Sequence, residues 1–123
     1  VDDLDDLIDA AIDRVIAGLP AAFAERLESV AIVVEDEATP DQLESVGARG
    51  LYGLYQGVPR TRLSADAIAV PSKITIFKGP LARSTRTPEA FGLAVEATVR
   101  HEIAHHFGIS DERLGELEHR PGG

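Results

Sequence analysis

Between Leu4 and Leu19 the apolar positions are Leu4, Leu7, Ile8, Ala11, Ile12, Val15, Ile16 and Leu19, the three-and-four spacing of one helical face. Aspartates fill the opening turn, where a helix dipole is positive, and Gly18 with Pro20 supplies stop signals at the other end. A shorter helical stretch is predicted over Ala21 to Leu27. The β-branched run Val30 to Val34, bounded by charge, predicts a buried strand. Glu35-Asp36-Glu37 at its end reads as a solvated turn rather than a cation site. Thr39 followed by Pro40 has the form of a cap and first helical position, so a helix of one or two turns is predicted there.

Two more strands are predicted: Leu51 to Val58, interrupted by Gly53 and Gly57, and Lys73 to Lys78, where alternation of polar and apolar residues from Lys73 to Ile76 predicts a half-exposed strand. Pro59 to Ser72, with no clear period, reads as an irregular surface connection. Gly79-Pro80 is expected to break the strand, with a turn of helix over Leu81 to Arg86. Thr87-Pro88-Glu89 then opens a long helix running to Phe107, and Gly108 supplies a left-handed stop. A last short helix is predicted from Ser110 to Glu118. Helices, then strands, then helices predict an α+β fold, with a small mixed sheet of about three strands covered by helices.

Composition narrows the chemistry. A chain of 123 residues, 44% hydrophobic, is expected to form one domain over residues 1–123. With no cysteine there is no disulfide and no thiolate ligand, so any metal site must draw on His, Asp and Glu. A formal charge of -9 argues against nucleic acid and acidic membranes as partners. Val1 to Asp9 carries five aspartates and no basic segment, and no long apolar run occurs, so neither a signal peptide nor a membrane span is expected. A cytoplasmic location follows as the expectation.

The long helix carries His101-Glu102-Ile103-Ala104-His105. Positions four apart stack on one helical face, so both imidazoles can reach a single metal ion. The stripe Val95, Val99, Ile103 and Phe107 lies on another side and faces the core, leaving the histidines turned outward. Glu102 projects beside the metal face, where a carboxylate can take a proton from an activated water. Asp111 can return to the metal if Gly108 turns the chain sharply, a reading favoured over its alternative role of capping the last helix. Glu112, Glu116 and His119 are alternative third ligands. His106 falls near the apolar stripe and reads as a packed core histidine. Tyr52, Tyr55, Arg60 and Arg62 are candidates for stabilising an oxyanion, each with an ordinary packing or surface role as the more common explanation. The Lys73 to Lys78 strand could take an extended peptide at a sheet edge, its simpler role being sheet structure.

The segment His101-Glu-Ile-Ala-His105-His-Phe-Gly108-Ile-Ser-Asp111 resembles the extended HExxHxxGxxD zinc signature of zincins. The chain has no methionine and so departs from the metzincins, which carry a methionine turn beneath the metal. A closer resemblance, spanning most of the chain, is to the small bacterial zincin-like, or minimal metalloprotease-like, domains. It rests also on Val30 to Glu37, Gly53 to Pro59 and Ile74 to Pro80. The resemblance implies a zincin-like fold, Zn2+ held by His101, His105 and Asp111, Glu102 as general base, and a peptide or protein substrate. A monomer is expected. The alternative is a non-catalytic binding module stabilised by its metal.

Overall fold

The computed structural model describes residues 3–46, 52–57 and 72–117. The first helix, α1, spans Asp3–Ala17 and buries Ile8, Ala11 and Val15 while its aspartates Asp5, Asp6, Asp9 and Asp13 stay in water. Next come α2 at Ala21–Arg26, a 3-10 turn at Leu27–Ser29, and strand β1 at Val30–Glu35. Helix α3 occupies Pro40–Val46, opened by a reciprocal cap in which Thr39 Oγ1 accepts from the Gln42 amide and Gln42 Oε1 accepts from the Thr39 amide. Strands β2 at Gly53–Gln56 and β3 at Ser72–Phe77 follow, then α4 at Lys78–Arg83, α5 at Pro88–Phe107 and α6 at Asp111–Leu117.

Among the described residues the sheet is mixed and has three strands in the order β1-β3-β2. β1 runs parallel to β3, with Val30 opposite Ser72, and β2 runs antiparallel, with Tyr55 opposite Ile74. The pattern of β3 predicts a half-exposed strand, but the strand is central and Ile74, Thr75, Ile76 and Phe77 are all fully buried. The alternation of Lys73 to Ile76 stops at Phe77, and both faces of β3 are covered, so the polar Thr75 is buried with its neighbours, whereas the Val30 to Val34 run, expected to be buried, buries only Val30. A central strand has no free edge. Peptide addition at Lys73 to Lys78 is therefore ruled out, and among the described residues the sheet edges belong to β1 and β2. The strand ends at Phe77, as Gly79-Pro80 leads one to expect, but α4 starts at once at Lys78 rather than at Leu81. A proline in the first helical turn gives up no intrahelical bond, so Pro80 is tolerated there. The Gly79 amide instead bonds the Asp36 carbonyl at 2.8 Å, tying α4 to the end of β1.

Glu35-Asp36-Glu37 behaves as an ordinary charged turn. Glu37 forms a two-pronged pair with Arg83 at 2.6 and 3.0 Å, which holds its carboxyl below the usual carboxylate range, and Asp36 faces Lys78 at 3.5 Å.

One core unites α1, the sheet and α5: Ile8 and Val15 from the first, Ile74 and Ile76 from the sheet, Val95, Val99 and Ile103 from the last. Fully burying an aliphatic side chain of this size contributes about 1.5–3 kcal/mol, so the α1–α5 seam is a main source of stability. Helix α5 begins where Thr87 Oγ1 accepts from the Ala90 amide at 3.0 Å, with Pro88 at the first position. Thr87→Ala leaves that amide without its cap, and thermal denaturation should show a loss of about 1 kcal/mol.

Candidate metal centre

The C-terminal half of α5 separates two environments by helical angle alone. Val99, Ile103 and Phe107 enter the core, whereas His101 and His105 stand on the opposite side with about half their side-chain surface exposed, 49% and 54%. Their rings lie one turn apart with centroids 4.5 Å from each other. Gly108 ends the helix at φ 69°, a left-handed conformation that a side chain disfavours, and its amide and that of Ile109 take the carbonyls of His105 and Ala104. That reversal aims α6 back along α5. Ser110 then caps α6, accepting from the Arg113 amide at 3.0 Å, so Asp111 is not spent on the cap.

Asp111 reaches His101: its two carboxylate oxygens lie 3.0 and 3.2 Å from Nδ1. This hydrogen bond favours the imidazolium and raises the His101 pKa above the usual imidazole value, against the smaller effect of partial burial. Glu112 is exposed and Glu116 is engaged by Arg113 at 3.0 Å, so the structure joins Asp111 rather than either glutamate to the histidines. His119, Arg60, Arg62 and most of the connection before β3 fall outside the described residues.

Glu102 is positioned differently from its neighbours. Only 5% of it is exposed, and one carboxylate oxygen lies 3.6 Å from His105 Nδ1. Burial raises its pKa; the two histidines and the Tyr55 backbone pull less strongly the other way. A carboxylate so placed is a stronger base than one in water. The strand above it comes close because Gly53 has no Cβ: one built there would lie 2.6 Å from Thr98 Cγ2 and 3.4 Å from Glu102 Cγ. A glycine inside a strand signals such an approach, and Gly53 was open to that reading from sequence.

Of the oxyanion candidates, Tyr55 has its hydroxyl turned to His106 Nδ1 at 3.0 Å and Ser72 Oγ at 3.2 Å, an internal role. Tyr52 is 39% exposed, and its carbonyl accepts from the Phe77 amide. Two grooves lined by described residues, of about 290 and 390 Å³, lie at the opposite end of α5, by Phe91 and by Leu93. The half-exposed His101 stands about 15 Å along the helix from Phe91.

Among the described residues, no three His, Asp or Glu side chains are arranged to hold one metal ion as they stand. The donor chemistry nonetheless fits zinc. Two imidazoles at helical spacing and a neighbouring carboxylate are its usual partners in sites that keep a position open for water. With Asp111 on Nδ1, His101 keeps Nε2 available to a metal.

A profile of the zincin-like metallopeptidase family matches residues 27–120. That span covers the sheet and every side chain just described, and the chain belongs to this family. No curated protein matches it. Helix α1 precedes the matched span, although it supplies a large part of the core. No helix among the described residues is long and apolar enough to cross a membrane.

Proposed function

We propose that the chain is a zinc-dependent peptidase that hydrolyses peptide bonds in polypeptide substrates, with His101, His105 and Asp111 as metal ligands and Glu102 as general base. The observation that carries this reading is the pairing on α5 of two outward imidazoles with a buried carboxylate 3.6 Å from the second of them. Zinc, when bound, supplies the Lewis acidity that makes water a nucleophile near neutral pH. Glu102 takes the proton that the attacking water loses and returns it to the departing amine nitrogen, so the carboxylate is restored at the end of each turnover. Its burial serves both halves, since a carboxylate shielded from water accepts the proton readily and keeps it until the amine leaves. Asp111 must exchange its bond to His101 Nδ1 for the metal in order to act as third ligand.

The net charge of -9 favours polypeptide over polyanionic substrates. Purified protein loaded with zinc is expected to cleave members of a peptide library, and Glu102→Gln protein loaded in the same way is expected not to. Identical behaviour of the two proteins would remove the enzymatic reading.

A further inference from the structure

Immediately after the second imidazole comes a third, and the helix turns it the other way. His106 is 1% exposed and sits against the sheet, its ring edge-on to Tyr55 with centroids 5.5 Å apart. Its Nδ1 lies 3.0 Å from the Tyr55 hydroxyl, which is also 3.2 Å from Ser72 Oγ. A phenol can donate one proton and accept another, so a single hydroxyl joins α5, β2 and β3.

The location of this junction matters because of what hangs from β2. In the antiparallel ladder the Phe77 amide bonds the Tyr52 carbonyl, and by alternation the Tyr55 amide points away from β3. It is one of the groups that stabilise the charge of the Glu102 carboxylate. The proposed base thus lies under a strand that, among the described residues, pairs with β3 alone. Two features set the depth of that strand over α5. Gly53 permits the approach, and the Tyr55–His106 bond draws the strand down. Apolar packing is non-directional and tolerates small sliding, whereas a buried hydrogen bond fixes distance and register.

We propose that His106 is a positioning residue which, through the Tyr55 hydroxyl, clamps β2 to α5 and so keeps the Tyr55 amide on the Glu102 carboxylate. The proposal rests on Glu102 being the base for its catalytic meaning, but the clamp itself can be observed without turnover. A substitution at this clamp acts on the base while leaving the histidine ligands on their own helix face.

The test uses the full chain carrying Tyr55→Phe, which keeps the ring and removes only the hydroxyl. Amide hydrogen exchange on the metal-free protein is expected to show protection at position 55 falling about tenfold, the weight of one buried hydrogen bond. The Val99 and Ile103 amides should shift only as far as global stability does. Zinc affinity, read by competition with a chelating dye, should stay within about threefold, since no ligand is touched. In loaded protein kcat should fall about tenfold with KM unchanged. His106→Asn, which can present a polar group at the Nδ1 position, should retain most of the protection that His106→Leu loses.

Unchanged protection at position 55 in Tyr55→Phe overturns the clamp. So does a uniform loss across all amides in step with melting temperature, which would make the contact a general packing element. If the wild-type protein binds zinc and cleaves nothing, the peptidase reading fails, yet the exchange pattern still decides whether the clamp exists.

Discussion

Glu102→Gln is expected to lower peptide hydrolysis by about 10²–10⁴-fold, the usual contribution of a positioned general base. The same substitution is expected to make the metal-free protein more stable. Both effects come from one fact: this carboxylate is buried, with 5% of its surface exposed, and burial holds its pKa above the ordinary value. A group whose pKa is raised by folding binds its proton more tightly in the folded chain. Its stabilising contribution is complete below the unfolded value and is lost as pH rises through the folded one. At neutral pH the charged form therefore weighs against folding. Glutamine is neutral and nearly isosteric, so it removes that penalty. A gain of about 0.5–2 kcal/mol, or a few degrees in melting temperature, is the scale expected when a functional strain is relieved.

The pH dependence gives an independent check. His101 is raised as well, chiefly by its bond to Asp111, so both groups make the metal-free protein lose stability as pH rises from the carboxylate range across neutrality. In Glu102→Gln the acid part of that fall should flatten, while the part set by His101 persists. Melting curves of the metal-free proteins from pH 4 to 8 measure this directly. A variant that keeps a tenth or more of wild-type activity contradicts the base assignment, and one that melts lower at every pH contradicts the cost assigned to the buried charge.

The second large effect concerns metal. His101→Ala and His105→Ala should each reduce zinc affinity by more than about 100-fold, beyond the range typical of losing an outer-shell partner. They should also abolish the melting shift that zinc gives the wild type, which at a hundred times Kd is about 2.7 kcal/mol. Asp111→Ala separates two roles. As a ligand its loss matches that of the histidines; as a group that only orients His101 through Nδ1, its loss falls within about 10–100-fold. Dialysis followed by elemental measurement and dye competition reads all three variants. Wild-type protein that takes up no stoichiometric zinc would falsify the metal reading altogether. Stoichiometric metal without cleavage of any peptide would leave the binding-module alternative.

Local signals in the chain carry much of this architecture. Thr87-Pro88 and Gly108 mark both ends of α5 because caps and left-handed stops are decided by neighbouring residues. The outward histidines and the inward His106 follow from helical angle, again a local matter. The central place of β3 is not readable in the same way. Its alternating Lys73 and Thr75 look like a face in contact with water, yet Thr75 is fully buried, and the partners that make β3 central are distant in sequence. The depth of Glu102 is likewise non-local, since helix geometry places it beside the histidines but cannot show that Gly53 lets a strand come down over it. The Tyr55–His106 bond joins positions 51 apart and leaves no pattern of its own.

The left-handed turn at Gly108 has one more consequence. Because the chain doubles back there, His101 meets Asp111 across a separation of only ten residues. Closing so short a segment takes on the order of 10–100 ns and little chain entropy. The imidazole–carboxylate pair can therefore assemble as soon as the end of one helix forms, before any strand has found its neighbour, whereas the proton-carrying carboxylate acquires its special environment only when the sheet closes over it.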